Sequence, residues 1–424
     1  MQPFYTKGRG RGIIVQSRLT SPWRCHLRPV YSRAWIDSLG PTAGEFSWQP
    51  ALQDVPVFSE ILKRRAQSLL ERAGIQINGN HPWDIAVHRD EFYGRVFREG
   101  SLGLGESYMD GWWDTPSLDQ FFDRIFRAHL DETPIPAWAA LRLYLLSVVL
   151  NPQSKSRSMK VGENHYDLGN DLFEAMLDKR MVYTCGHWKR DADLDAAQES
   201  KLDAVCRAMN LQPGMRILDV GCGWGSFAKF AAEKYGARVT GITVSQEQAK
   251  LARERCAGLP VEIRVQDYRD LQGHFDCAVS LGMFEHVGYK NYRVYMDVVR
   301  HAITGCGRFY LACIGKNRSA RITDPWIEKY IFPNSMLPSL KQIGAATEGL
   351  FVLEQMQNWA SDYDRTLMAW FRNFKSHWTE LRRHYDERFY RMWEFYLMAS
   401  AASFRSGRLQ CWQMVFSPEG ADAC

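Results

Sequence analysis

The stretch Ile217-Leu218-Asp219-Val220-Gly221-Cys222-Gly223-Trp224-Gly225 decides the fold. An apolar run ends on an acidic residue, three alternate glycines follow, and residues 226–235 then take up a helical pattern. Glycine reaches positive φ and carries no Cβ, so the backbone can turn sharply here and come close to a bound nucleoside. A bare G-x-G says little by itself, and its surroundings give it weight. Residues 215–221, 238–244, 261–267, 275–282 and 307–315 read as strands, while 226–235, 246–256 and 292–303 read as helices between them. That alternation predicts right-handed βαβ units around a parallel sheet. Residues 351–359 and 409–416 are two later strand candidates, the last read as an antiparallel edge.

Two ligand classes compete for such a turn: a dinucleotide, or a nucleoside sulfonium bearing methionine. The dinucleotide fingerprint wants Gly or Ala three residues beyond the second glycine, where this chain has Ser226. It also wants an acid near the end of the second strand for the ribose. The sequence there is Gly241-Ile242-Thr243-Val244-Ser245, with Gln248 beyond. The sulfonium reading therefore leads.

Composition narrows the remaining classes. The chain has 424 residues, 46% hydrophobic and 24% charged, enough for more than one core. Its net charge of +5 is concentrated at the start, where Lys7, Arg9, Arg11, Arg18, Arg24, Arg28 and Arg33 occur without an acid among residues 1–36. The body is then slightly acidic, which argues against a nucleic-acid binder read from charge. Ten cysteines are scattered without a C-x-x-C pair, which speaks against a zinc site or a secreted disulfide framework and for a reducing cytosol. The most apolar run, Leu143 to Leu150, is too short to span a bilayer, and no secretory signal is legible. Membrane contact is expected to be peripheral.

Four segments follow from the pattern. Residues 1–55 read as a basic, disordered extension, and 56–150 as a small, mostly helical N-terminal domain with a stop at Ala73-Gly74 and a capping Ser117. Residues 151–160 read as a polar linker, and 161–418 as the catalytic domain. Within the last, Leu367, Trp370, Phe371, Phe374, Trp378, Leu381, Tyr385, Phe389, Trp393 and Tyr396 recur at helical spacing, an apolar face that reads first as core and second as the roof of a greasy channel.

The Asp219–Gly225 turn resembles motif I of class I S-adenosylmethionine-dependent methyltransferases. Its flanks resemble, more specifically, the cyclopropane-fatty-acyl-phospholipid synthase family. The residues that carry this are Glu163-Asn164-His165-Tyr166-Asp167-Leu168-Gly169-Asn170-Asp171-Leu172-Phe173, Tyr183-Thr184-Cys185, Gly282-Met283-Phe284-Glu285-His286-Val287-Gly288, Asp324-Pro325-Trp326-Ile327 with Tyr330-Ile331-Phe332-Pro333, and Asp362-Tyr363-Asp364. Ser101-Leu102-Gly103-Leu104-Gly105-Glu106-Ser107-Tyr108-Met109-Asp110-Gly111-Trp112-Trp113 adds the two-domain, phospholipid-modifying branch. Coverage runs from about residue 57 to 418.

The resemblance implies an α/β fold: a Rossmann-like class I methyltransferase domain with a helical lid and a small helical N-terminal domain. It implies methyl transfer from S-adenosylmethionine to a cis double bond of an unsaturated membrane phospholipid, then closure of a cyclopropane ring with loss of a proton to a bound bicarbonate. Donor contacts would fall on Tyr183, Thr184, Asp219, Gly221, Cys222, Gly223, Trp224, Gly225, Thr243, Gln248, Tyr268 and Arg269. Loop capping is the plainer role for Thr243 and Gln248, although Gln248 can replace the missing ribose carboxylate as a hydrogen-bond partner. Catalytic positions map to Cys185, Glu285, Ile314 and Tyr363, with Ser400 where the family carries a Cys. For Glu285, Cys185 and Tyr363 the structural alternatives are a helix cap, a small apolar filler and a buried ring. His165, His187 and His286 are read as structural.

One departure stands out. Where the family has His before x-Ile-Gly, this chain reads Ala312-Cys313-Ile314-Gly315, and a methyl group cannot donate to an anion. The alternatives are therefore a lipid C-methyltransferase without ring closure, or a catalytically impaired lipid-binding relative. The family also implies a cytoplasmic protein acting at the inner face of the membrane and a tendency to form homodimers, with no metal and no nucleic-acid partner.

Overall fold

The computed structural model describes residues 56–132, 169–190 and 192–418. The basic extension, the 151–160 linker, Leu143 to Leu150 and His165 lie outside the described residues.

A two-stranded ribbon, β1 (Ala86–Val87) and β2 (Trp113–Asp114), comes first in the chain. The glycine-rich turn emerges from the centre of a separate seven-stranded sheet. Its strands are β3 (Arg216–Val220), β4 (Arg238–Thr243), β5 (Val261–Val265), β6 (Phe275–Leu281), β7 (Ile303–Lys316), β8 (Val352–Asn358) and β9 (Leu409–Ser417), in the order β5-β4-β3-β6-β7-β9-β8. The first five are parallel, as the βαβ alternation predicts, and the last two are antiparallel. The expected edge position of residues 409–416 needs correction. β9 pairs with β7 on one side and β8 on the other, so β8 forms the edge. Most of β9 is apolar, and every residue from Cys411 to its end is buried whichever face it points to, as an interior strand requires.

Successive side chains of the central strands enter two different cores. Leu218, Val220, Phe309, Leu311 and Cys313 meet Tyr295 and Met296 on one face, whereas Ile217, Tyr310 and Ala312 meet Leu202 and Phe227 on the other. The helices that cover these faces start where capping residues place them. Asp193 accepts from the Ala196 amide to open the helix Leu194–Ala208, and Ser245 accepts from the Gln248 amide to open Gln246–Arg255. Ser117 behaves differently from expectation: it sits at the N-cap of Leu118–Arg127, but its hydroxyl donates to Asp119 Oδ1 and makes no capping bond.

The aromatic stretch 364–404 belongs to three helices, Ala360–Ser376, Trp378–Leu381 and Glu387–Arg405. Trp370, Phe374 and Trp393 are fully buried in the core. The N-terminal helices Pro56–Glu71, Glu91–Glu99, Ser101–Met109 and Leu118–Arg127, with the β1–β2 ribbon, pack on this roof. Phe122 and Tyr108 both contact Phe395, and polar ties back them: Tyr108 donates to Glu394 at 2.8 Å, Arg391 to Asp114 at 2.6 Å and Arg388 to Asp110 at 3.0 Å. No helix of the described residues is long and apolar enough to cross a membrane.

Candidate active site

β3 ends at Asp219 and Val220, and the next residues turn with φ of +84° at Gly221, +53° at Gly223 and +76° at Gly225. At Gly221 the requirement is twofold. The φ is left-handed, and a Cβ would lie 2.7 Å from Met283 Cβ. Gly225 is then the N-cap of the helix Ser226–Tyr235 and has no side chain to bond its first amides.

The turn borders a cavity of about 1210 Å³. At one pole its wall includes Asp219, Gly221, Cys222, Gly223, Trp224, Thr243, Gln248, Tyr268 and Arg269, together with Tyr183 and Thr184. Gly225 shapes the turn without contributing to the wall. Asp219 is 2% exposed, and Oδ2 lacks a hydrogen-bond partner. Burial raises its carboxyl to about 7, with the Lys201 ammonium acting in the opposite direction. The Tyr268 hydroxyl is buried and also lacks a partner. Both groups can pair with a polar ligand.

Thr243 and Gln248 engage one another, the Thr243 hydroxyl donating to Gln248 Oε1 at 3.0 Å, while the Gln248 backbone amide is capped by Ser245. The cap thus uses the Gln248 main chain and leaves its side-chain amide group on the cavity side. Arg269 is held against Asp267 at 2.8 Å and lies over the Tyr268 ring.

Toward the centre of the cavity, the short 3-10 turn Phe284–His286 brings Glu285 under β7. The Ile314 amide donates to Glu285 Oε1 at 2.6 Å, and Oε2 has no partner. With only 5% exposure, the carboxyl is pushed by desolvation to about 7. Tyr363 is on the same wall, stacked on Phe404 at 4.5 Å, and burial raises its phenol well above the ordinary value. Ile314 and Ser400 are wall residues too, and Phe395 and Tyr396 complete an aromatic ceiling.

Cys185 and Ala312 sit apart from this group. Cys185 is 4% exposed and does not form part of the cavity wall; its thiol points at the carbonyls of Gly186 at 3.1 Å and Trp359 at 3.6 Å. Ala312 faces Gln413 across the β7–β9 pair, and Tyr310 donates to Gln413 Oε1 at 3.0 Å. Neither Ala312 nor Gln413 reaches the wall.

Sequence reasoning missed Lys201. It is 3% exposed, lines the cavity and donates to Thr184 Oγ1 at 3.0 Å, and burial lowers its ammonium to about 8. A lysine on an amphipathic helix reads as solvent-facing, but its spacing from Ala197 and Val205, four residues to either side on the buried stripe, is the signal that could have found it. His286, which the sequence presents as structural, does line the cavity, where desolvation lowers its imidazole to about 4 and keeps it neutral. His187 is structural in its contacts, stacked on Trp359 at 4.5 Å.

The sequence offers the aromatic face as the roof of a greasy channel, but not the part that the N-terminal helices take in the far pole. There the wall is made by the N-terminal helices through Leu69, Leu70, Phe92, Tyr93, Phe121 and Phe122, continuous with the aromatic ceiling. The cavity thus joins a polar pocket at the glycine-rich turn to a long apolar chamber.

The sequence and the fold have counterparts. Residues 153–414 match the family model described as mycolic acid cyclopropane synthetase. The chain is 50% identical over 367 residues to the cyclopropane-fatty-acyl-phospholipid synthase of Escherichia coli (strain K12), covering 86% of this chain and 96% of that one. It is 34% identical over 361 residues to the tuberculostearic acid methyltransferase of Mycobacterium tuberculosis, covering 79% and 83% of the two chains. Among solved structures, the mycolic acid cyclopropane synthase CmaA1 complexed with SAH and CTAB superposes with a TM-score of 0.58 at 28% identity, covering 61% of this chain and 98% of that one.

Proposed function

The chain belongs to the cyclopropane-fatty-acyl-phospholipid synthase family of S-adenosylmethionine-dependent methyltransferases, and from that premise we propose that it adds a methylene bridge across the cis double bond of unsaturated acyl chains in membrane phospholipids. The observation that carries the reading is the meeting of the glycine-rich pole, the Glu285 carboxyl and an apolar chamber in one cavity.

The donor pole fits S-adenosylmethionine in its own chemistry. Asp219 Oδ2 and the Tyr268 hydroxyl are buried and unsatisfied, and the left-handed glycine at 221 keeps the floor clear of a Cβ. When bound, S-adenosylmethionine supplies an electrophilic sulfonium methyl group. The protein then has three tasks. The Gly221, Cys222 and Gly225 amides are bonded to the carbonyls of Ile242 and Cys222, so Asp219 and the side-chain-free backbone of the turn orient the donor, while Gln248 offers its amide to the ribose. The aromatic wall of Tyr183, Trp224, Phe395 and Tyr396 keeps water away from the acyl chain and lowers the energy of positive charge on it by about 2 kcal/mol per well-placed ring. Glu285 Oε2, unpaired and attached to a carboxyl that titrates near neutrality, takes up the proton.

The electron balance follows. The alkene π pair forms the new carbon–carbon bond, the sulfur–methyl bond breaks with its pair remaining on sulfur, and loss of one proton from the transferred methyl leaves the pair that closes the third side of the ring.

Bicarbonate, implied by the resemblance, would draw on Glu285 and Tyr363. The rest of the expected set does not fit it: the Ile314 amide is committed to Glu285, the Cys185 thiol faces two carbonyls off the wall, and Ala312 has nothing to donate. No step is assigned to bicarbonate.

The incomplete set favours one second reading, methyl transfer in which the proton is lost from a neighbouring carbon to leave a branched alkene. Both products carry the same added mass. Incubation with S-adenosylmethionine and monounsaturated phosphatidylglycerol vesicles, followed by proton NMR of the released fatty esters, separates them: high-field ring protons support the synthase, new olefinic protons of a branched alkene support the second reading, and unchanged lipid refutes both. Action at the inner membrane face from the cytoplasm, through peripheral contact and as a homodimer, completes the proposal.

A further inference from the structure

Two residues beyond Ile314 on the same face of β7, about 7 Å along the strand, Lys316 enters the wall of the cavity. Its surroundings are unusual for a cation. The nearby charges are already matched: Arg408 pairs with Asp131 at 2.6 Å and also with Glu132, and Asp324 accepts the amides of Trp326 and Ile327 at 2.9 and 3.1 Å as the N-cap of the helix Pro325–Tyr330. Lys316 has no hydrogen-bonding or ion-pairing partner for its ammonium among the described residues. Burial lowers its pKa, with Asp324 opposing the shift from a distance. A partly desolvated ammonium without a counterion is costly, and an incoming anion recovers that cost.

The position suggests which anion. Ile322, 41% exposed, is also part of the cavity wall, so the chamber meets solvent along the loop that leaves β7 after Lys316. Arg318, 89% exposed, stands on the same connecting loop and reaches Glu132 at 3.8 Å. The mouth therefore pairs apolar Ile322 with one ammonium, that of Lys316, which the acids around it leave without a direct partner, and it opens into a space with an apolar interior. A phosphodiester attached to a long acyl chain has that sequence of chemistries.

The geometry points to Lys316 as the anchor for the phosphate of the phospholipid whose acyl chain occupies the cavity, with Arg318 as an outer cation. This rests on the proposed lipid substrate and adds to it a headgroup site at the end of β7.

The test compares the full-length wild type with Lys316→Met, Lys316→Gln and Lys316→Arg. Each is assayed in mixed detergent micelles carrying either dioleoylphosphatidylglycerol or dioleoylglycerol, with melting curves to establish folding. Loss of one charge-assisted contact is expected to raise the phospholipid KM about tenfold in the Met and Gln variants with kcat within about twofold, and to lower the preference for phospholipid over diacylglycerol by about the same factor. Lys316→Arg is expected to recover most of that preference. Equal losses on both lipids, or an unchanged phospholipid KM, overturn the site while leaving the proposed activity standing. Inorganic phosphate supplies a further arm. Competition with phospholipid that disappears in Lys316→Met supports the site, whereas phosphate binding at Lys316 with an unmoved phospholipid KM makes it a free-phosphate site and overturns the lipid assignment. Should the wild type convert neither lipid, the activity fails first, and flotation with phosphatidylglycerol vesicles still reads the anchor: equal flotation of wild type and Lys316→Met overturns it.

Discussion

Replacing Glu285 by Gln should make the protein more resistant to heat at alkaline pH and far less active. The carboxyl is 5% exposed, one oxygen accepts the Ile314 amide, and the other has no partner. Desolvation raises its pKa from 4.5 to about 7. A carboxyl raised in the folded state contributes its stability in full below the unfolded pKa and loses it as pH rises through the folded one. The folded protein is therefore penalised progressively between pH 4.5 and about 7, and by pH 8 the difference amounts to about 3 kcal/mol. The glutamine side chain keeps an acceptor for the Ile314 amide and carries no charge, so the penalty disappears, offset by about 1 kcal/mol for an amide nitrogen left without an acceptor. Thermal melts of wild type and Glu285→Gln without added S-adenosylmethionine, taken at half-unit steps from about pH 5 to 8.5, should show a gap in Tm that grows in favour of the variant by roughly 3 °C across the series, because the unfolding entropy of a 424-residue chain spreads each kcal/mol over only about one degree. Asp219 titrates in the same range, but it is common to both proteins and cancels in the comparison. Turnover should fall at least about a hundredfold, the scale expected for losing a positioned proton acceptor. A Tm gap that stays constant with pH would refute the burial argument, and full turnover in the variant would remove Glu285 from the chemistry.

Other expectations follow from the same cavity. Because the Asp219 carboxyl stands near 7 when no cation faces Oδ2, binding the cationic donor should lower it and release part of a proton at about pH 7; calorimetry in buffers of different ionisation enthalpy should detect that release in wild type and not in Asp219→Asn. Gly221→Ala forces a left-handed alanine and puts Cβ 2.7 Å from Met283, so about 1–2 kcal/mol of strain plus the clash should abolish measurable donor affinity; an unchanged Kd would mean the turn does not hold the donor. Ala312→His must fit beside the bonded Tyr310–Gln413 pair and should lower stability by about 1–3 kcal/mol without raising the yield of ring product, whereas a gain in ring product would show that the slot can open toward the site.

Much of the fold was legible because its signals are local. The parallel strands, the intervening helices and the left-handed glycines each follow from patterns within about ten residues, and β3 through β7 fall where those patterns put them. The place of β9 was not legible, since insertion between β7 and β8 depends on pairing between segments far apart in the chain. Its largely apolar tail, Cys411-Trp412-Gln413-Met414-Val415-Phe416, is the one signal that could have favoured an interior strand over an edge. The site was legible to a similar degree. Asp219, Thr243, Gln248, Glu285 and Tyr363 converge on one cavity from different elements, but Cys185 turns away although its neighbours Tyr183 and Thr184 face in, and Lys201 turns inward as a charged residue on the buried stripe of its helix. Such orientations depend on packing partners far away in sequence, and residue type alone does not report them.

The environment of Ala312 changes what its substitution means. From sequence, losing a histidine suggests a wall with one donor missing. In the folded chain the position faces a buried core, in which the Tyr310 hydroxyl, the Gln413 amide and the Cys411 thiol satisfy one another through bonds of 3.0 and 3.4 Å. The polar groups beside Ala312 thus close on themselves and do not offer a ligand to the cavity. In the proposed reaction deprotonation then relies on groups that do face it, and Glu285 Oε2 is a buried oxygen there with no competing partner. If that is correct, rate should follow the ionised fraction of one carboxyl, rising with pH through about 7 and levelling above it, once donor binding is saturated so that Asp219 does not contribute. A kcat profile that is flat from about pH 6 to 8, or that falls over that range, would show that a different group accepts the proton.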